Sequence, residues 1–226
     1  MYYQMQSKNT SFVNVHKQLK EQGIKNNRFM LSLYNKSLTN FDPFDPNLSK
    51  LRIDQIRYEC AANPWYYLRE VVRIPIVNGD TVYLKADRGS IAQTYCSLNG
   101  INTWLTKPRA TLMSGFTLAL LSWFFLFGRY DSSININSKH MSNNAVHIAM
   151  IMNIINALPE YLPRYSNYSK SNLRFNYNKN IINSNSLCDF NIDDYEKLFS
   201  AECNYVDDAS FVNSISDIIK KTKEAS

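Results

Sequence analysis

The chain predicts an α/β fold, a sheet flanked by helices, from three observations. Residues 101–106 read as a strand, 107–113 as a short loop, and 114–127 as a long apolar helix, giving a strand–loop–helix unit. Residues 133–138 alternate isoleucine with polar side chains, the period of a strand with two unlike faces. Residues 142–157 then place Val146, Met150, Ile151 and Ile154 at helical spacing.

The other elements follow in order. Residues 12–22 predict a helix ended by Gly23, inside a polar stretch of about fifty residues rich in asparagine and lysine. Pro43 and Pro46 exclude a helix around them. Asn47 is a candidate cap for a helix carrying Leu51, Ile53, Ile56, Tyr58 and Cys60, which must stop before Pro64 because the residue ahead of a proline is pushed out of α geometry. Trp65, Tyr66 and Tyr67 read as core packing or as base-stacking rings. Asn78-Gly79 marks a tight turn between residues 68–76 and a short strand at 81–84. A helix over 90–98 ends in an Asn99-Gly100 turn, and Gly128 closes the apolar helix. Residues 163–185, rich in Asn, Ser and Tyr, read as loops with short β pieces.

Composition limits the classes. At 45% hydrophobic residues the chain holds enough apolar side chains for a packed core, which excludes a disordered polypeptide. A net charge of +6 favours an acidic partner such as DNA. Cys60, Cys96, Cys188 and Cys203 are widely spaced, and His16, His140 and His147 are scattered, so free thiols rather than a zinc site are expected. The N-terminus lacks the pattern of a secretory signal. Residues 110–128 are uncharged and long enough to cross a bilayer, with a buried helix as the alternative reading.

The chemistry centres on Lys107-Pro108-Arg109-Ala110-Thr111-Leu112-Met113-Ser114, which occupies the place of a phosphate-binding loop. There a helix N-terminus and backbone N–H groups cradle phosphates. In the working pattern G-x-x-x-x-G-K-[ST], glycine lets the backbone approach the anion, lysine reaches the β/γ-phosphates and the hydroxyl binds Mg²⁺. Here Leu112 stands for the glycine, Met113 for the lysine, and only Ser114 is kept. A charge about 4 Å from a phosphate at an effective dielectric near 20 is worth roughly 4 kcal/mol, nearly three decades in binding or rate. Weak or absent ATP hydrolysis is therefore expected.

Four segments, in order, resemble the large subunit of the tailed-phage DNA-packaging terminase. Asn63-Pro64-Trp65-Tyr66 is similar to the N-P-[WF]-[YF] segment ahead of the ATPase core, and Arg88-Gly89-Ser90-Ile91-Ala92-Gln93 falls where that family has its adenine-recognition element. The loop is similar to P-R-Q-T-G-K-[TS], with Pro108, Arg109, Thr111 and Ser114 matching and Ala110, Leu112 and Met113 replacing glutamine, glycine and lysine. Cys203-Asn204-Tyr205-Val206-Asp207-Asp208-Ala209-Ser210-Phe211-Val212 resembles the Walker B strand with its acidic pair. Between the last two, Leu158-Pro159-Glu160-Tyr161-Leu162 is similar to an L-P-x-[YF]-L turn.

The resemblance implies a P-loop NTPase-like sheet of the ASCE type, incomplete, with residues 1–50 as an N-terminal polar arm and 51–226 as a partial ATPase domain lacking the nuclease domain. It implies ATP and Mg²⁺ as cofactors, with Gln93 on adenine, Arg109, Thr111 and Ser114 on the phosphates, Ser114 and Asp207 on the metal, and Asp208 activating water. The family usually has glutamate at the last position, one methylene longer. Without the resemblance, Asp207 and Asp208 read as caps of a helix over 210–221 and Gln93 as a surface side chain. The partners implied are double-stranded DNA, bound without sequence preference through cations such as Lys107, Arg109, Arg129, Lys220, Lys221 and Lys223, and other terminase subunits and the portal. The implied location is the host cytoplasm, at the procapsid portal. The alternatives are a non-catalytic interaction protein of the packaging machinery and a membrane-associated phage protein anchored by 110–128.

Overall fold

The structure, a computed structural model, describes residues 1–4, 6–76, 78–103, 113–169, 172–175, 178–187, 201 and 203–207. It is mixed α/β, with a mixed sheet flanked by helices. It divides into two compact units, Met1–Trp123 with Asn153–Pro163, and Phe124–Met152 with Arg164–Ser226.

In the first unit the opening segment is packed, although its polar composition reads as an arm. Strand β1 (Tyr2–Tyr3) pairs antiparallel with β2 (Ser32–Leu33). Helix α1 (Thr10–Glu21) turns Phe12, Val15 and His16 inward. It ends where Gly23, at φ +84°, lets the Ile24 amide reach back to the Leu19 carbonyl and its own amide to Lys20, a closure that favours a residue without a β-carbon. Met30, Leu31, Leu33 and Leu38 are fully buried. The segment is also anchored by polar contacts. Gln4 Nε2 and Ser7 Oγ both donate to Glu70 Oε1, at 3.3 and 2.7 Å. The buried Arg69 Nε donates to the same oxygen at 2.7 Å.

Helix α2 (Lys50–Ala62) is capped by Ser49, whose Oγ accepts the Arg52 amide, and not by Asn47. Asn47 is held one turn earlier, where its amide donates to Asp45 Oδ1. The buried side of α2 is Ile56, Glu59 and Cys60, while Leu51 and Tyr58 face solvent. Glu59 is wholly buried because its carboxylate accepts the amides of Tyr34 and Asn35 and Asn63 Nδ2, at 2.8, 2.9 and 2.8 Å. Asn63 leaves helical geometry ahead of Pro64 and caps the turn α3 (Pro64–Tyr66), which continues as a π-helical turn, Tyr67–Val71. Trp65, Tyr66, Tyr67 and Leu68 are all buried, so these rings pack the core.

Strands β3 (Arg73–Pro75) and β4 (Thr81–Tyr83) form the hairpin turned at Asn78-Gly79. Asp87 caps α4 (Arg88–Leu98) by accepting the Ser90 amide at 2.9 Å. Gly100, at φ +69°, closes it as Gly23 closes α1. Residues 101–103 were expected as strand and are not: they are exposed, and the Ile101 amide is spent on the Cys96 carbonyl. The rest of that expected strand, 104–106, lies outside the described residues. Helix α5 (Met113–Phe127) is the apolar helix the sequence predicts.

The second unit is built on a five-stranded sheet. Its strands are β5 (Ser133–Ser138), β6 (Asn167–Tyr168), β7 (Asn172–Arg174), β8 (Ile181–Ser186) and β9 (Cys203–Val206), in the order β6-β7-β8-β5-β9. Strands β8 and β9 flank β5 and run parallel to it, while β6 and β7 are antiparallel. Helix α6 (Met141–Asn156) follows β5. At the end of α5, Asn180 donates to the Phe125 carbonyl at 3.0 Å and accepts the Ser132 amide at 2.8 Å, tying the helix end to the start of β5. Gly128 donates to the Phe124 carbonyl, and a β-carbon there would stand 2.2 Å from that oxygen.

Candidate functional site

In the first unit, α4 and the first turns of α5 bring two of the expected site residues into one neighbourhood. Thr117 Oγ1 donates to Gln93 Oε1 at 3.1 Å, and Thr117 lies one turn beyond Ser114 on α5. Gln93 and Ser114 are half-buried. The amide expected to read adenine therefore sits beside the helix N-terminus expected to receive phosphate, where the helix dipole favours an anion. Arg109 and Thr111 lie outside the described residues, as do Pro108 and Leu112.

In the second unit, Asp207 directly follows β9, at the carboxyl end of a strand parallel to β5. Its amide donates to the Asn137 carbonyl at 2.9 Å, which extends the ladder past the last paired residue. Both carboxylate oxygens are engaged. Tyr205 OH donates to Oδ1 at 3.0 Å, and His147 Nε2 lies 3.2 Å from Oδ2. The imidazole packs edge-on against the Tyr205 ring, with centroids 5.8 Å apart. Asp208 lies outside the described residues.

Beside β9, strands β5 and β8 carry an amide ladder. The parallel register sets Asn135 beside Asn183 and Asn137 beside Asn185. Asn185 Nδ2 donates to Asn137 Oδ1 at 2.9 Å, and Asn183 Nδ2 to Asn135 Oδ1 at 3.4 Å. Asn137 Nδ2 reaches the Tyr205 carbonyl at 3.3 Å, and Asn144 on α6 donates to the Asn185 carbonyl at 2.7 Å. Asn144 Oδ1 and His147 Nδ1, one helical turn apart and both buried, find no hydrogen-bond partner among the described residues.

His147, Tyr205 and the asparagine ladder are the site residues that sequence reasoning missed. The ladder had a signal: Ile134-Asn135-Ile136-Asn137 and Ile182-Asn183-Ser184-Asn185 share a two-residue period, and register turns matched periods into a ladder. His147 gave no signal, because its partner lies sixty residues on.

The Asp207 carboxylate is a hard oxygen donor of the kind Mg²⁺ takes. Among the described residues no three His, Cys, Asp or Glu side chains group as metal ligands do. No described helix is long and apolar enough to cross a membrane: α5, with 15 residues, spans about 22 Å against about 30 Å of hydrocarbon. No protein-family model matches the chain, and no curated protein matches it.

Proposed function

We propose that this chain is a DNA-packaging ATPase-like domain of the terminase large-subunit kind, with a P-loop NTPase sheet of the ASCE type and a nucleotide loop that has lost its phosphate grip. The observation that carries the reading is the position of Asp207. It ends a strand parallel and adjacent to β5, the strand that follows the helix leading out of the loop. Carboxyl ends of parallel strands are where α/β sheets gather ligands. Gln93 beside the first turns of α5 adds support, since adenine and phosphate must be held within one nucleotide's length.

In this reading Arg109, Thr111 and Ser114 would meet the phosphates, Asp207 would be a Mg²⁺ ligand and Asp208 would activate a water. A metal at Asp207 would take the place of His147 on Oδ2, because both oxygens are engaged. Duplex DNA would be held by its phosphates at the portal of a procapsid in the host cytoplasm, with binding that falls steeply with salt. The His147 contact favours a second reading, a non-catalytic partner of terminase subunits or portal that retains the fold.

Titration calorimetry with ATP and Mg²⁺ tests the proposal. The parent chain is expected to bind weakly or not at all, and the double change Leu112→Gly with Met113→Lys to restore binding, since glycine reopens the backbone path and lysine returns a charge worth about 4 kcal/mol. Tight binding by the parent chain would contradict a degenerate loop.

A further inference from the structure

We infer that the β1–β2 ribbon of the first unit is a docking surface for single-stranded nucleic acid, with Tyr2 and Tyr3 as stacking platforms and Arg28 and Lys36 as phosphate contacts. Charge locates the surface. Residues 1–41 hold six Lys and Arg (8, 17, 20, 25, 28 and 36) against Glu21, and of these Lys8 is paired with Asp42. Lys17, Lys20, Lys25, Arg28 and Lys36 are all exposed.

The aromatic component stands among these cations. Tyr2 and Tyr3 are 50% and 45% exposed, and Tyr34, next to β2, is 46% exposed. Arg28 Cζ lies 5.5 Å from the Tyr3 ring centre and Lys36 Nζ 5.9 Å from that of Tyr2. Each ring is thus paired with a cation at the distance where the two attract. The rings are also held in place. Tyr2 and Tyr3 pair with Leu33 and Ser32, both buried, and the Gln4 amide donates to the Leu31 carbonyl at 2.8 Å. Both rings are left about half exposed on this anchored ribbon.

Rigid rings set among cations match a strand that offers unpaired bases and phosphates together. Duplex DNA would use the cations and leave the rings idle. An anionic membrane would also use the cations, but it calls for a continuous apolar helix face, which α1 does not present, since its apolar residues Phe12 and Val15 are buried. The inference does not rest on the nucleotide loop.

Fluorescence anisotropy of the full chain with a labelled oligothymidine of about twenty nucleotides, at about 50 and 200 mM salt, tests it. Arg28→Gln with Lys36→Gln should flatten the slope of log affinity against log salt by about 1.4. Tyr2→Ala with Tyr3→Ala should weaken oligothymidine about ten-fold or more while leaving a duplex of the same length within about two-fold. Lys85→Gln, an exposed cation of the hairpin, should change neither. Circular dichroism melts certify that each variant is folded. No binding of oligothymidine at about 50 mM salt, equal losses on duplex and single strand for the tyrosine pair, or binding only to phosphatidylserine vesicles would overturn the inference.

Discussion

His147 Nε2 lies 3.2 Å from Asp207 Oδ2, joining the second helical turn of α6 to the residue that closes β9. The carboxylate that the sequence offers as a metal ligand is thereby committed to an imidazole. His147→Ala is expected to lower unfolding free energy by about 1–2 kcal/mol in urea denaturation, the scale of a hydrogen bond to a charged group. The same change should raise Mg²⁺ affinity by freeing Oδ2. A neutral effect on both would show that the pair contributes nothing.

Glu59 holds the first unit together by accepting three donors, of which Asn63 Nδ2 also reaches the Ser32 carbonyl at 3.0 Å. Glu59→Ala should cost about 3 kcal/mol or more, because the Tyr34 and Asn35 amides would lose their acceptor and Asn63 Nδ2 would keep only the Ser32 carbonyl. Glu59→Gln should cost less, since its amide oxygen still accepts. Equal melting temperatures for parent and alanine variant would contradict this account of the cap.

Gly128 permits the closure of α5 by allowing a backbone approach that a β-carbon would block at 2.2 Å from the Phe124 carbonyl oxygen. Gly128→Ala should destabilise by about 2 kcal/mol, within the range for overpacking against atoms that cannot rotate away. Unfolding by denaturant measures it.

Burial pushes the Cys60 thiol well above its ordinary range, with the nearby Glu59 carboxylate acting in the same direction. The thiolate is the reactive form, so Cys60 should resist alkylation at pH 8.5 in the folded chain and react once urea unfolds it. Peptide mapping after iodoacetamide treatment reads this directly. Labelling of Cys60 in the native chain at the rate of a free thiol would contradict its burial.

How much was legible depended on whether the signal was local. Periodicity and capping residues located α1, α2, α4, α5, α6, β5 and the hairpin at Asn78-Gly79, because hydrogen bonds close within a turn and leave marks such as Gly23 and Gly100. Strand β8 was legible only as one of the short β pieces expected within 163–185, since its polar positions are asparagine and serine, which also favour turns. The packing of the first fifty residues was hidden. It rests on Phe12, Leu31, Leu33 and Leu38, too sparse to form a run, and on Gln4 and Ser7 meeting Glu70 more than sixty residues away. The order of motifs proposes Gln93, Ser114 and Asp207 as site residues, while His147 and the Asn137–Asn185 rung exist only through strand register and helix packing.

The central proposal, that Asp207 is a metal ligand for a nucleotide, is tested most directly by calorimetry in the Leu112→Gly, Met113→Lys background. ATP with Mg²⁺ should bind there, and adding Asp207→Asn should remove the Mg²⁺-dependent part of the affinity, about ten-fold or more for a lost metal ligand. Binding that is restored by the loop changes yet indifferent to Asp207→Asn would contradict the claim.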